Sequence, residues 1–227
     1  MRAYLTFILI TLMILLTNFA VGAELKVDST RLINILGEVD YNILEKANEL
    51  AELSKTPEPI YLLINSPGGS VAAGHVFIDS MRLAQKKGIN IKCISTIYNA
   101  SMAFSIFASC TERYALPNTS LLFHPVSTAL SGRFGERRLT TIADELGKLD
   151  KDLQDFLIGS LGISKKLVMD TYYAEKWWTA VELNAVAKKG WMTIVDGLSG
   201  IPKPFIVEEI EGGLHGMELL PNFIHGR

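Results

Sequence analysis

The run Ile60-Tyr61-Leu62-Leu63-Ile64, leading straight into Asn65-Ser66-Pro67-Gly68-Gly69-Ser70, limits what this chain can become more than any other stretch. An apolar run of strand length with no alternation is the pattern of a strand buried on both faces. Such a strand needs neighbours beside it and cover above and below. The glycine pair ends the strand. Helical spacing follows over residues 71–87 and stops at Gly88, which suits the left-handed position after a helix. The same order then recurs. Residues 89–97 are an apolar strand rich in β-branched side chains, and residues 101–110 are apolar and helical in character. Strands alternating with helices predict an α/β layout around a mainly parallel sheet.

The remaining segments fit that plan. Short strands are predicted at residues 32–36, 113–115, 120–123 and 192–195. Helices are predicted at 41–53, with Asp40 as N-cap, at 164–173 and at 180–188. Residues 136–158 are charged and amphipathic and predict a long helix with one solvated face. From Gly197 onward no periodicity is visible, and residues 197–227 are expected to form an extended tail.

The N-terminus reads as a separate unit. Arg2 precedes an apolar run over residues 5–16, and Val21-Gly22-Ala23 offers small residues for cleavage after Ala23. This is the layout of a secretory signal peptide. The run is shorter than the roughly 20 residues of a spanning helix, and the second reading is an uncleaved N-terminal anchor, the one case in which a membrane is involved. Either reading places residues 24–196, the candidate folded domain, outside the cytoplasm, in the periplasm or beyond. The net charge of −2 does not favour nucleic acid or an anionic membrane surface as partner. The four histidines are scattered and there is no CxxC, so neither a metal nor another cofactor is expected. Cys93 and Cys110 lie in apolar stretches. An oxidising compartment would permit their pairing, but the expectation is two unpaired core thiols.

Three places carry chemistry. The Gly68-Gly69 loop lies between a buried strand and a helix, where free N–H groups bind phosphate or an oxyanion. It matches neither the P-loop nor the dinucleotide fingerprint. In Asn99-Ala100-Ser101-Met102-Ala103 a serine stands where a strand gives way to an apolar helix. Its hydroxyl would lie beside unpaired N–H groups, which suits a nucleophile whose attack creates an oxyanion. Taken alone, a helix N-cap is the commoner role for such a serine. His124 ends the apolar run Leu121-Leu122-Phe123 and precedes Pro125, a position that fits a general base or a structural histidine. His75, within the helix after the glycine loop, and His215 and His225, in the tail, are weaker candidates.

Read together, these segments resemble the proteolytic subunit of Clp protease. Residues 65–71, Ala100-Ser101-Met102, and Leu116-Pro117-Asn118 with His124 six residues further on follow that family's order at near-matching spacing. Gly37-Glu38-Val39, Gly74 and Asp79 agree as well, and the resemblance covers residues 32–196. It implies the ClpP/crotonase fold, a right-handed spiral of ββα units with a long handle helix at 136–158. It implies Ser101 as nucleophile, His124 as base, and the backbone N–H groups of Gly69 and Met102 as oxyanion hole. The family's acid is an Asp before Arg, an apolar pair, Ser and Ala. Here Glu175-Lys176-Trp177-Trp178-Thr179-Ala180 fills that place, so Glu175 is the implied acid and Asp170 the alternative. Two further departures are Ala103-Phe104 in place of Gly-Ala and small length changes on either side of Ser101.

The resemblance implies a serine endopeptidase acting on oligopeptides or unfolded proteins, assembled as a homo-oligomer of stacked heptameric rings. Cytosolic members work with AAA+ unfoldases that use ATP; an exported domain is expected to work without one. The competing readings are a catalytically inactive oligomeric scaffold, an acyl-CoA enzyme of the crotonase type, and a Ser–Lys dyad using Lys176 or Lys188-Lys189. The crotonase reading needs carboxylates near the glycine loop, and the Pro-Asn…His motif argues against the dyad.

Overall fold

The computed structural model describes residues 23–201. The predicted leader up to residue 22, the tail beyond residue 201, and His215 and His225 within that tail lie outside them. The sheet implied by strand–helix alternation is present. β2 (Leu32–Leu36), β3 (Ile60–Ser66), β4 (Ile91–Ala100), β5 (Glu112–Ala115) and β8 (Thr193–Ile194) lie side by side in that order. Each neighbouring pair is parallel.

β4 serves two neighbours in succession. Its Lys92–Ser95 segment pairs with β5, and its Tyr98–Ala100 segment pairs with β6 (Ser120–Leu122). A strand long enough to change partners along its length lifts the chain from one level of sheet to the next. β6 continues into an antiparallel pair with β7 (Trp177–Thr179), a three-residue strand too short to leave a period in the sequence.

The α-helices of the described residues are α1 (Ile43–Leu53), α2 (Val71–Lys86), α3 (Met102–Ala108), α4 (Glu136–Leu161), α5 (Lys165–Tyr172) and α6 (Ala180–Val186). Side-chain oxygens cap three of them, Ser70 on α2, Ser164 on α5 and Thr179 on α6; each accepts from an otherwise orphaned backbone N–H. Every residue of α3 is buried. It packs Phe104 and Phe107 against Trp191 and the strands at the centre of the main core. α4 runs three residues beyond the predicted end, to Gly162 at φ 66°, the left-handed stop that glycine takes without cost. Its buried residues, Gln154, Leu157 and Leu161, all fall in its C-terminal half. The N-terminal half stands away from the core.

The both-face burial of β3 has a specific cause. Ile60, Leu62 and Ile64 face the main core, while Leu63 packs with Val27 and Ile94 on the other side of the sheet. That side is covered by a two-stranded parallel ribbon, β1 (Glu24–Lys26) with β9 (Gly197–Ser199). Residues 197–199 are therefore a strand rather than the start of an extended tail. Three residues cannot show periodicity, and this strand exists only because its partner lies far away in the chain.

The expectation of unpaired thiols is also corrected. Cys93 and Cys110 form a disulfide, with Cα atoms 5.9 Å apart, inside the usual range. β5 runs parallel to β4 with Glu112 opposite Lys92. The return through α3 thus sets Cys110 beside Cys93, a neighbourhood that residue spacing alone does not reveal. Among the described residues, no helix is long and apolar enough to cross a membrane.

Candidate active site

Ser101 occupies the sharp turn between β4 and α3. Its backbone has φ 56° and ψ −126°, a conformation that costs a non-glycine residue on the order of 1–3 kcal/mol. Its position is that of an N-cap, but its hydroxyl makes no cap hydrogen bond. The capping role that a serine usually has here is therefore absent, and the Oγ is free to face the cavity. The turn is held from below: the Ser101 N–H donates to the Leu122 carbonyl at 2.9 Å. Ala100 pairs with Leu122 in the parallel register of β4 and β6. Adjacent strands therefore end together, one delivering Ser101 and the other His124 two residues past its last pair.

The glycine loop closes over this turn. Gly68 has φ 93°, and a Cβ there would lie 2.5 Å from the Ser101 Cβ, 2.6 Å from the Ala100 carbonyl oxygen and 2.9 Å from the Met102 nitrogen. Only glycine permits that approach. At Gly69, φ is 144° and a Cβ would lie 2.4 Å from the Val39 carbonyl oxygen. Hydrogen bonds from Val39 N–H to the Gly68 carbonyl and from Ser70 N–H to the Val39 carbonyl, both 2.7 Å, fix the loop in place. No backbone hydrogen bond among the turns, loops and caps of the described residues uses the Gly69 or Met102 N–H. Two free amides on either side of a strained serine can hold an oxyanion.

Gly69, Ser101, Met102 and His124 all line one cavity of about 320 Å³. Its walls come from α2, α3 and the C-terminal half of α4. His75, set aside in the sequence as a helix residue, lines it too. The helical spacing from Val71 through His75 to Ile78, Asp79 and Arg82 puts these residues on one stripe of α2 facing the cavity.

The candidate acids are placed differently. Asp170 is exposed and paired with Lys166 on α5. Glu175 is exposed, just before β7. The antiparallel register sets Leu122 opposite Trp177; two further steps along each chain lead to His124 and Glu175. Pairing ends before that level, and neither acid is among the residues lining the cavity. Glu175 has φ 49°, and among the described residues it and Ser101 are the non-glycine residues with positive φ. Backbone strain of this kind collects at functional sites.

One carboxylate near the site escaped the sequence reading. Asp150 on α4 accepts from the Val126 N–H at 2.6 Å and from the Tyr172 hydroxyl at 2.7 Å, both through Oδ1. Burial, with the Asp150 hydrogen bond next, pushes the Tyr172 phenol above its usual range. Val126 is two residues beyond His124 and lines the cavity. One oxygen thus ties the segment after His124 to α4 and to the buried Tyr172. No motif marks it, because its partners come from elements separated by 22 and 24 residues. Asp150→Ala leaves a buried hydroxyl and an amide unpaired, at about 1–3 kcal/mol each. The expected result is a thermal midpoint lower by several degrees, with Asp150→Asn, which still accepts, nearer to wild type; differential scanning calorimetry of the two variants reads it. No group of His, Cys, Asp or Glu that could hold a metal ion occurs among the described residues.

Comparison with known proteins bears on the family and the fold. The model of the Clp protease family matches residues 23–189. An ATP-dependent Clp protease proteolytic subunit 2 of Nocardia farcinica is 29% identical over 157 residues, covering 67% of this chain and 75% of that protein. A proteolytic subunit 2 of Pseudomonas aeruginosa is 34% identical over 121 residues, 50% of this chain and 58% of that one. Among solved structures, a point mutant of ClpP1 from Listeria monocytogenes superposes with a TM-score of 0.62 at 22% identity, covering 74% of this chain and 91% of that chain. The mixed α/β fold with its parallel sheet and long α4 is therefore of the ClpP type.

Proposed function

The chain belongs to the Clp protease family, and on that footing we propose that it is a serine endopeptidase using Ser101 as nucleophile, His124 as general base and Glu175 as the acid that orients the base. The observation that carries the reading is the strained Ser101, with a hydroxyl that makes no cap bond, sharing a cavity with His124 and with the free amides of Gly69 and Met102. Ser101 Oγ attacks the peptide carbonyl while His124 accepts its proton, and the oxyanion is held by the Gly69 and Met102 N–H groups. Collapse of the tetrahedral intermediate expels the amine, which takes the proton from His124. Water, deprotonated by the same histidine, then releases the acid and restores Ser101.

For Glu175, support comes from its positive φ and from a strand register that leads toward His124. Its side chain reaches one methylene further than the family's Asp. Glu175→Gln is expected to lower kcat by about 10²- to 10⁴-fold with little change in KM, measured on a fluorogenic peptide. An unchanged kcat would remove Glu175 from the triad.

Export is part of the same proposal. The N-terminal sequence favours it, and so does the disulfide, since such bonds persist in oxidising compartments. Outside the cytoplasm an ATP-driven unfoldase is not at hand, and the substrates are then oligopeptides or chains already unfolded. The family points to a ring oligomer; heptameric rings with the sites facing an internal chamber are the form proposed. The deciding experiment is to treat the purified protein with a fluorophosphonate and locate the adduct by mass spectrometry. An adduct on Ser101 is expected. No adduct, with intact fold by circular dichroism, would leave the inactive scaffold as the reading.

A further inference from the structure

The cavity beside Ser101 has two kinds of wall. Part of it is apolar, lined by Val71, Ile78, Met102, Leu153 and Phe156. The remaining lining includes charged groups, and their balance is uneven. Asp79 and Arg82 neutralise each other across 2.9 Å. Asp152 makes no salt bridge among the described residues, while its neighbour Lys151 pairs with Asp155 at 2.8 Å. The cavity therefore combines apolar lining with a carboxylate, Asp152, that makes no salt bridge among the described residues.

We propose that this cavity receives the substrate side chain on the acyl side of the scissile bond and selects a long side chain ending in a cation, lysine or arginine. The inference rests on the serine peptidase reading and adds its substrate class. The methylene stem of such a side chain matches the apolar walls, and its charged end meets Asp152. An apolar side chain of the same length fills the walls but leaves the carboxylate without a partner. A glutamate side chain is repelled. Asp152 lies at the solvated side of the cavity, so the attraction is moderate and weakens with salt.

The test uses the full-length protein and a matched pair of fluorogenic peptides, with lysine or norleucine at the position before the scissile bond. Norleucine keeps the stem and lacks the amine. The expected kcat/KM ratio is about two- to fivefold in favour of lysine at low ionic strength, shrinking as salt is added. Asp152→Asn is expected to bring that ratio close to one. Asp152→Lys is expected to favour a glutamate peptide over the lysine peptide. Norleucine cleaved as well as lysine, or a ratio untouched by Asp152→Asn, overturns the proposal and leaves the peptidase reading standing. A Ser101 fluorophosphonate adduct without cleavage of either peptide overturns the proposal as well. Absence of both adduct and cleavage overturns the peptidase reading beneath it.

Discussion

Ser101→Ala is expected to abolish peptide hydrolysis, lowering kcat by about 10⁵-fold or more, and to remove fluorophosphonate labelling entirely. Losing the nucleophile of a Ser-His pair costs nearly as much as losing the whole set, because the groups act as one unit. His124→Ala is expected to fall in the same range, and the double variant no lower than either single one. The fold should tolerate the change. The Ser101 hydroxyl makes no cap hydrogen bond, so its removal strands no partner. The turn is held instead by backbone, through Ser101 N–H to Leu122 and through the close contact with Gly68. The thermal midpoint of Ser101→Ala should therefore lie within a few degrees of wild type. Labelling that survives in Ser101→Ala would place the nucleophile elsewhere and end the assignment.

The second large effect concerns stability. Opening the Cys93–Cys110 disulfide by the double change Cys93→Ala and Cys110→Ala is expected to lower stability by about 3 kcal/mol. The bond spans 17 residues, and closing a loop of that size restricts the unfolded chain by about that much. For a domain of this length the loss corresponds to roughly 6–12 °C in thermal midpoint. Both cysteines are buried, Cys93 completely, so part of the loss comes from missing packing. Comparing the double variant with wild type under reducing and oxidising conditions separates the two: reduction should lower wild type and leave the variant unmoved. If reduction leaves wild type unchanged, the bond does not contribute.

That loop also contains β4 beyond Cys93, the Ser101 turn and the whole of α3. The strained conformation of Ser101 must be maintained by its surroundings, since an isolated residue would relax. The chain enters the turn from β4 and leaves it into the buried α3, and the Ser101 N–H is held by the Leu122 carbonyl. Activity after reduction is expected to fall with the thermal midpoint rather than ahead of it, because the glycine loop and β6 still hold the turn.

Much of this could be read from residue order, and the reasons are local. The apolar run before Gly68-Gly69 forces a both-face-buried parallel strand. The strand–serine–helix order at Ser101 and the strand–histidine order at His124 place both residues at strand ends. These are consequences of periodicity and of what glycine alone can do in a turn, and both act over a few residues. The strands β1, β7 and β9 were not legible, because each exists only through pairing with a segment distant in the chain. The disulfide was not legible either, since two cysteines in apolar stretches look the same whether or not a parallel register brings them together.

The buried strand with its glycine turn is thus the part that the chain determines alone: a parallel α/β sheet with a glycine loop at one strand end and a serine at the next. Tertiary structure decided what that loop meets. It set Gly68 against Ser101, ended β4 and β6 level so that serine and histidine share a cavity, and placed Asp150, Tyr172, His75 and Asp152 around them. Local sequence selects backbone conformation through sterics and hydrogen bonding over a few residues. Which side chains meet depends on long-range register and packing, and only the folded chain fixes that.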